Sequence, residues 1–368
     1  MPRIRVGVLG CGMIAQLMHL PYLAELEDRF EIAALCDQDK ALAQRVAARY
    51  RVPRVHASFE TLLDAVPSLD AVLVLNKDHF GPALMALERG IHTFTEKPLC
   101  YTLAEAERLV GASERTGAKL MVGYMKRHDS GVQRGLAEIR RTSAPRMARV
   151  HVVVGPDYGN WIIPELQRIE RPTGAGTAAS SDADGRLPKV RAEFGAASPA
   201  LLAAYMDMFG VWSHDINVFR AAFPAAPTSV KAHVSDDGST LTALLHYADG
   251  LQVVFQGGTT SAHLFEESLT VWGADRTVEL DMSNPFLRHV PATVRIREDE
   301  TSPSTSPRQA RPLTAERTVS GSHHEAFKAQ LCHFHACVTT PALRPITTGR
   351  EALEDTRLML GILRAAAE

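Results

Sequence analysis

The stretch Val6–Ala15, which reads VGVLGCGMIA, decides the fold of the first part of this 368-residue chain. A β-branched apolar run ends in a G-x-G-x-x-A turn, and an apolar helical pattern follows directly. In a dinucleotide site the first glycine makes a tight turn, the second lets the backbone approach a pyrophosphate, and the last small residue packs the helix on the strand. The helix N-terminus then faces the phosphates. We therefore predict that Gly10, Gly12, Met13 and Ile14 bind a dinucleotide.

An acidic residue stands where the second strand is predicted to end. Asp37 lies 22 residues after Ala15, a position from which a carboxylate binds the hydroxyls of the adenosine ribose. A carboxylate there repels the 2′-phosphate of NADP, and Gln38 adds no compensating positive charge. We therefore predict NAD as the cofactor, with NADP less favoured. Lys40, a few residues on, would weaken that preference if it reached the phosphate.

Short β-branched runs alternate with helical patterns through the first 125 residues. This alternation predicts right-handed β-α-β units and a parallel sheet. The predicted strands are Arg5–Leu9, Glu31–Cys36, Ala71–Leu75, His92–Thr95 and Leu120–Gly123, and the predicted helices are Ile14–Glu25, Lys40–Tyr50, Phe80–Arg89 and Leu103–Thr116.

After residue 145 the pattern changes to strands joined by short turns, which predicts a largely antiparallel sheet. One strong helix is predicted between Leu201 and Phe223, and residues 172–200 and 300–320 are predicted to be loops. The predicted class is α/β, with an N-terminal dinucleotide-binding domain (1–125), an α+β domain with an open sheet for substrate binding and oligomerisation (126–348), and a C-terminal helix (349–368) that packs back on the first domain. The strands predicted in the second domain are Arg149–Val154, Ser229–His233, Thr240–Tyr247, Gln252–Gly257, Ser268–Trp272 and Thr277–Leu280.

The composition is that of an ordinary globular protein. Forty Lys and Arg oppose 42 Asp and Glu, giving a net charge of −2, and no block of like charge suggests a nucleic-acid or membrane surface. The longest apolar run, Val6–Ala15, is far shorter than the ~20 residues that span a bilayer. Five cysteines spread along the chain favour reduced thiols. We expect a cytoplasmic protein that binds neither nucleic acid nor membrane.

Thr95-Glu96-Lys97-Pro98 follows a predicted strand at the carboxyl edge of the sheet. Proline disfavours a helical conformation at Lys97 and therefore holds it extended at the edge where ligands bind in such folds. A lysine there can donate to a substrate hydroxyl or carbonyl and assist proton movement. From the tripeptide alone, a surface lysine in a strand-to-helix loop is the favoured alternative.

The helix predicted between Leu201 and Phe223 has two faces. Asp207, His214 and Asn217 share a polar face, which is either the wall of a site or a solvated surface. His214 is the best acid–base candidate because its reference pKa is near ~6.5. Asp207 lies two turns upstream, roughly 10 Å away, and would reach the imidazole only if the segment around Gly210 were bulged or unwound, which a glycine makes possible. The opposite, apolar face carries Phe209, Trp212, Ile216, Phe219 and Phe223, with core packing expected for Trp212.

Together these motifs resemble those of the Gfo/Idh/MocA oxidoreductases over nearly the whole chain. The resemblance rests on the glycine turn at Gly10, Asn76-x-x-His79, Gly90-Ile91-His92 before Glu96-Lys97-Pro98, Gly123-Tyr124-Met125-Lys126-Arg127 and Ser213-His214-Asp215-Ile216-Asn217.

The resemblance implies a site. Lys97 and His214 would serve the reacting carbinol, and Glu96 would lie near the nicotinamide. Asn76, His79, Glu96 and Lys97 are assigned to the cofactor site, and Tyr124, Lys126, Arg127, Asp215 and Asn217 to the substrate. The C-terminal sheet would form a homodimer or homotetramer. Many members carry Asp four residues before this histidine, where this chain has Gly210, so the partner that orients His214 stays open.

The resemblance implies NAD(H)-dependent interconversion of a secondary alcohol and a ketone on a sugar, sugar derivative, glycoside or cyclitol. Two alternatives stay open: NAD-dependent glycoside cleavage through transient ring oxidation, and a regulator that binds nucleotide without turnover. Presence of both Lys97 and His214 counts against the regulator. We expect no metal, because Cys332, His333, His335 and Cys337 point around a helix axis at these spacings.

Overall fold

The computed structural model describes residues 2–66, 68–156, 169, 185–195, 197–300 and 313–368. The chain divides into two compact units. The first contains Met1–Met125, Pro164–Ala196 and Phe327–Arg357, and the second contains Lys126–Ile163, Ala197–Ala326 and Leu358–Glu368.

The first unit is built on a six-stranded parallel sheet in the order β3-β2-β1-β4-β5-β6. Its central pair, β1 and β4, is where the strand order reverses, the place at which such sheets bind ligands. The strands are β1 (Ile4–Leu9), β2 (Phe30–Cys36), β3 (Val55–His56), β4 (Ala71–Val74), β5 (His92–Glu96) and β6 (Leu120–Gly123). The helices are α1 (Leu20–Glu25), α2 (Lys40–Tyr50), α3 (Phe59–Ala65), α4 (Phe80–Glu88) and α5 (Leu103–Thr116).

The second unit contains an eight-stranded sheet in the order β14-β13-β12-β11-β7-β10-β9-β8. All neighbours pair antiparallel except β7 and β10, which run parallel. The predicted fold class, a dinucleotide-binding α/β domain followed by a largely antiparallel open sheet, is confirmed. The strands are β7 (Met147–Val154), β8 (Ser229–Val234), β9 (Thr240–His246), β10 (Gln252–Thr259), β11 (Phe265–Trp272), β12 (Arg276–Asp281), β13 (Thr293–Glu300) and β14 (Leu313–Ser320).

The later helices are divided between the two units. They are α6 (Ser130–Arg140), α7 (Arg186–Phe194), α8 (Pro199–Asp207), α9 (Ser213–Ala222), α10 (Ala326–Thr339) and α11 (Gly349–Ala365). A 3₁₀ turn spans Met125–His128, and π turns span Ala15–His19 and Met208–Trp212. No single described helix is long and apolar enough to cross a membrane, and the bent pair Arg186–Phe194 plus Pro199–Ala222 meets that test only jointly.

The first unit is completed by segments that are distant in sequence. His335 on α10 donates from Nε2 to the Pro2 carbonyl at 2.7 Å, and the Thr347 hydroxyl donates to the Val122 carbonyl at 2.6 Å. On α7, Lys189 forms ion pairs with Asp78 at 2.7 Å and Glu105 at 2.6 Å. The second domain is therefore not the continuous segment 126–348 predicted from the sequence, because two of its stretches belong to the first unit.

The C-terminal helix α11 is shared between the units. Its residues Ala352 and Leu353 join the apolar cluster around α5, as predicted, and Arg357 pairs with Glu107 at 3.0 Å. Its last part, from Leu358 onward, belongs to the second unit.

Two predicted loops contain regular structure. The stretch 172–200 contains α7, and the stretch 300–320 contains β14, while residues 170–184, 196 and 301–312 lie outside the described residues. Strand β14 (LTAERTVS) has mostly exposed side chains, and its Glu316 forms an ion pair with Arg297 of β13 at 2.6 Å. It therefore lacks the apolar alternation that predicts a strand.

Candidate active site

The glycine turn has the geometry that its sequence predicts. Gly10 has a φ of +98°, and a Cβ there would lie 2.8 Å from the Asn76 nitrogen, so only glycine fits. A Cβ at Gly12 would meet nothing within 4 Å. The first glycine is thus needed for the turn, and the second leaves open space at the start of a helix. Met13 is exposed and Ile14 partly exposed beside that space.

The helix after the turn begins as a π turn, Ala15–His19, in which all five residues are buried. The sequence analysis did not anticipate this widening. Within it, Gln16 donates from Nε2 to the Cys11 carbonyl at 2.8 Å and so ties the glycine turn to the helix. Ala15 is wholly buried, in keeping with its predicted role in helix–strand packing.

Asp37 is fixed at the edge of the glycine turn. One of its oxygens accepts from the Cys11 N–H at 2.8 Å, and the other accepts from the Asp39 N–H at 2.9 Å. Each carboxylate oxygen has a further lone pair, so this side chain can also accept from a ribose hydroxyl.

Asn76 follows β4 at the point where the strand order reverses. Its Nδ2 donates to the Asp78 carbonyl at 2.7 Å, whereas its buried Oδ1 has no hydrogen-bond partner among the described residues. A buried amide oxygen of this kind is expected to bind a donor. Together with the open space at Gly12 and the carboxylate of Asp37, it fits a dinucleotide at this edge.

Lys97 and Glu96 lie at the carboxyl end of β5. Burial lowers the pKa of Lys97, and the charge of Glu96 partly opposes this shift. Glu96 accepts from the Lys97 N–H at 3.1 Å through Oε2, while Oε1 lies 2.7 Å from His19 Nε2. Lys97 is therefore not a freely solvated surface lysine, and His19 is a contact that the sequence analysis missed.

His79, on the loop after β4, forms a hydrogen bond to the loop that carries Lys97. Its Nδ1 donates to the Pro98 carbonyl at 2.6 Å, and burial lowers its pKa. The imidazole thus anchors the loop that carries Lys97. Its predicted contact with the cofactor stays a prediction.

Tyr124, assigned above to substrate binding, is 1% exposed and belongs to the apolar cluster of α5 and β6 in the first unit. Its ring packs there among side chains such as Val122 and Leu99. The structure therefore shows core packing for Tyr124, and its assignment to the substrate stays a prediction.

In the second unit, buried charged side chains lie close together on the 3₁₀ turn, on α9 and on β11. Lys126 forms an ion pair with Glu267 on β11, and both side chains are buried. Burial raises the pKa of Asp215 to about 7, although the charge of Lys126 acts in the opposite direction. Arg127 donates from Nη1 to Asn217 Oδ1 at 3.4 Å. The fold thus brings together Lys126, Arg127, Asp215 and Asn217, which were all predicted from the sequence. It adds Glu267, which no sequence motif predicts.

The helix that carries His214 is not solvated on its polar face. His214 is 8% exposed and Asn217 is 1% exposed, so the alternative of a surface stripe is wrong. The opposite face is core as predicted: Trp212 is wholly buried, and Gly257 leaves room for its ring, since a Cβ there would lie 2.6 Å from the indole.

The helix is bulged around Gly210, where it forms the π turn Met208–Trp212. A π turn takes up one more residue than an α turn, which displaces upstream side chains by roughly 100° around the axis. Asp207 and His214 therefore do not share the face predicted for a regular helix, whereas His214 and Asn217 both lie on α9. Burial alone raises the pKa of Asp207 to about 6.

Three of the four metal-capable residues of α10 form hydrogen bonds in the described structure. His333 Nε2 accepts from the Ile346 N–H at 3.0 Å and lies 3.4 Å from Cys337 Sγ, while His335 bonds to Pro2. Among the described residues, no group of three or more His, Cys, Asp or Glu is placed to hold a metal ion.

The comparisons with known proteins agree with this geometry. Residues 4–124 match the family model described as an oxidoreductase family with an NAD-binding Rossmann fold. Residues 4–124 are thus similar to the nucleotide-binding domain of the Gfo/Idh/MocA oxidoreductases. Among curated Gfo/Idh/MocA relatives, a D-glucoside 3-dehydrogenase of Escherichia coli is 30% identical over 173 residues, 45% of this chain and 48% of that enzyme. An inositol 2-dehydrogenase of Salmonella paratyphi B is 29% identical over 133 residues, 35% of this chain and 39% of that enzyme.

These matches span about half or less of the relatives' own length. Among solved structures of the Gfo/Idh/MocA type, a UDP-N-acetylglucosamine 3-dehydrogenase from Acidithiobacillus ferrooxidans aligns over 100% of this chain and 99% of its own, with a TM-score of 0.71 and 19% identity. At that identity the likeness establishes the fold alone.

Proposed function

We propose that the protein is an NAD(H)-dependent oxidoreductase that interconverts a secondary alcohol and a ketone on a sugar, sugar derivative, glycoside or cyclitol. The observation that carries the proposal is the position of Lys97. It lies at the carboxyl end of β5, in the same unit as the glycine turn, with a pKa lowered by burial. The sugar and cyclitol dehydrogenases among the relatives support the substrate class.

A bound nicotinamide dinucleotide would supply hydride chemistry, and Gly10, Gly12, Asp37 and Asn76 would hold it. Because burial lowers the pKa of Lys97, its amine is neutral in a larger fraction of the protein molecules near pH 7. The neutral amine can accept a hydroxyl proton. We propose His214 as a second carrier of this proton, on the strength of the family motif. Arg127 and Asn217, which bond to each other, are proposed to orient substrate hydroxyls. Lys126 and Asp215 are buried in their ion-pair network, so their contact with substrate stays a prediction.

We further propose that NAD is preferred over NADP. Asp37 can accept from the ribose 2′-hydroxyl, and its charge opposes a 2′-phosphate. No positive charge follows at Gln38. Equal kcat/KM with the two nucleotides would contradict this preference.

A homodimer or homotetramer through the eight-stranded sheet is also proposed. Met147 and Leu244 are 52% and 46% exposed, and the strand register places them on one face of that sheet. Sedimentation of the purified protein tests the assembly. A cytoplasmic location is proposed from the five free cysteines.

The activity is tested at 340 nm with a panel of sugars, glycosides and cyclitols, supplied with NAD or NADP. Wild-type protein is compared with Lys97→Ala and with Lys231→Ala, a control at an exposed position on β8. NADH formation that is lost only in Lys97→Ala supports the proposal. Aglycone release without net NADH would instead identify glycoside cleavage, and NADH binding without any turnover would identify a nucleotide-binding regulator.

A further inference from the structure

His19 makes a buried contact that the family motifs do not explain. It lies on the π turn that follows the glycine turn, is 0% exposed, and places Nε2 2.7 Å from Glu96 Oε1. Its ring is held edge-on between Phe94 and Phe327, with centroids 5.4 and 5.7 Å away. The imidazole is therefore fixed by packing as well as by its hydrogen bond.

The surroundings of the ring decide which nitrogen carries the proton. Nδ1 of His19 is buried and has no hydrogen-bond partner among the described residues. A proton on Nδ1 would therefore be a buried donor without an acceptor, which is costly. The tautomer with its proton on Nε2 avoids this cost and donates to the carboxylate of Glu96.

The carboxylate of Glu96 is held on its other sides too. Its Oε2 accepts from the Lys97 N–H at 3.1 Å. Gly123 on β6 lies beside it, and a Cβ there would be 3.1 Å from Oε1, so a larger residue would press on the carboxylate. The charge fixed in this way raises the pKa of Lys97 against the effect of burial.

We propose that His19 is a positioning residue that holds the Glu96 carboxylate where its charge acts on Lys97. The inference rests on the proposed function, in which Lys97 handles the hydroxyl proton. It links the helix of the cofactor turn to the reacting lysine through one hydrogen bond between residues 77 positions apart. His79, on the loop after β4, is a further titratable group beside this pair, because the charges of Glu96 and Lys97, and that of Asp78, act on its pKa.

Three variants separate positioning from packing. His19→Leu removes the donor and keeps an apolar side chain, whereas His19→Gln keeps an N–H donor on a side chain of similar reach. His335→Leu is the matched control, because His335 is also 0% exposed, donates from Nε2 at 2.7 Å and packs edge-on to Phe30 at 5.5 Å. Its acceptor is a backbone carbonyl of the first unit, not a residue of the site.

Two measurements report on Lys97. The first is its titration, followed by NMR of the ¹³C-methylated lysines and assigned with Lys97→Arg, and the second is the pH profile of kcat/KM. Without its donor, the Glu96 carboxylate is no longer held where its charge acts on Lys97. We therefore expect His19→Leu to lower the pKa of Lys97 by ~0.5–1 unit and to move the acidic limb of the kcat/KM profile to lower pH by a similar amount. His19→Gln should keep kcat/KM within ~3-fold of the wild type.

The coupling is tested in the Glu96→Gln background. Glu96→Gln alone should lower the pKa of Lys97, and adding His19→Leu should cause no further shift, because the partner is already lost. His335→Leu should lower the thermal midpoint without moving the Lys97 titration. If His19→Leu fails to fold, Glu96→Gln alone still decides, since an unchanged titration there refutes any action of Glu96 on Lys97.

The inference is overturned if His19→Leu and His335→Leu lower the thermal midpoint alike and both leave the Lys97 titration unchanged. The titration needs no substrate or cofactor. A wild-type protein without dehydrogenase activity would therefore contradict the proposed function while the titration still tests the His19 contact.

Discussion

Two helices of this protein are widened by a five-residue π turn, and they use it differently. In the first unit the turn Ala15–His19 follows the glycine turn directly, is fully buried, and itself carries His19, which binds Glu96. In the second unit the turn Met208–Trp212 leaves Gly210 and Val211 partly exposed and ends two positions before His214. The first π turn positions a side chain of its own, whereas the second changes the alignment of the side chains on either side of it.

The largest effect is expected at the start of the first of these helices. Gly10→Ala should unfold or strongly destabilise the protein, by about 2–4 kcal/mol, because a Cβ at a φ of +98° meets the backbone of Asn76 and Leu75. Gly12→Ala meets no atom within 4 Å and should keep its stability to within about 1 kcal/mol while weakening NADH binding by ~10-fold or more. Urea unfolding and NADH fluorescence titration separate the two outcomes. Equal stability losses at both positions would refute the distinction drawn here.

The next largest effect is expected at the two residues proposed to carry the hydroxyl proton, one in each unit. Lys97→Ala and His214→Ala should each lower kcat by ~10²-fold or more, the usual cost of losing an acid–base group. NADH binding to Lys97→Ala should stay near normal. Because the π turn moves Asp207 off the face of His214, Asp207→Ala should change kcat by less than ~5-fold. Loss of turnover in Asp207→Ala alone, with His214→Ala still active, would show that this face was assigned wrongly.

A smaller effect is expected on the pH dependence of the free energy of unfolding, through Asp207, the residue directly before the second π turn. Burial raises the pKa of Asp207 to about 6, above its value in the unfolded chain. Between about pH 4 and 6 the folded protein therefore binds more protons than the unfolded chain, and this group makes stability fall as pH rises. Asp207→Asn should remove that loss and raise the free energy of unfolding at pH 7.5 by about 1–2 kcal/mol relative to pH 4.5. Urea unfolding at the two pH values measures it, and identical pH dependence in wild type and variant would argue against a buried carboxyl.

The smallest effect is expected at Gly210. A Cβ there meets nothing within 4 Å and its φ is not positive, so Gly210→Ala should be neutral or stabilise by about 0.5–1 kcal/mol. Thermal unfolding checks this prediction. A loss of more than about 1 kcal/mol would mean that the π turn itself requires glycine.

The sequence predicted the parts of the molecule in which local chemistry determines the conformation. The positions of Gly10, Gly12 and Asp37 follow from a turn, an open approach and a strand end, each of which has a residue preference of its own. The predicted alternation of β1, β4 and β5 with their helices held for the same reason. Strand β3, with only two residues, is too short to show any periodicity.

The features that the sequence did not predict depend mostly on contacts with residues far along the chain. His19 stands in the apolar pattern of a helix, where a histidine is most simply a core residue, and its partner Glu96 is 77 positions away. Glu267 is a buried acid in a β-strand whose meaning appears only beside Lys126. Tyr124 is assigned to the substrate by its place in a motif, and only the fold shows that it also packs in the apolar cluster around α5. The first π turn has no sequence signal, because an added residue breaks the 3.6-residue periodicity by which helices are predicted, whereas Gly210 indicates where the second helix could bulge.

The first unit is assembled from three stretches of chain, and this has a consequence for synthesis. The Val122 carbonyl receives its donor from Thr347, and Phe94 packs against Phe334, so these two contacts cannot form until nearly the whole chain has left the ribosome. At ~5–20 residues per second, the nascent nucleotide-binding part waits roughly 10–50 s for these segments. During that interval its apolar sheet edge is open to chaperones, and a chain that stops after Met125 would expose that surface permanently.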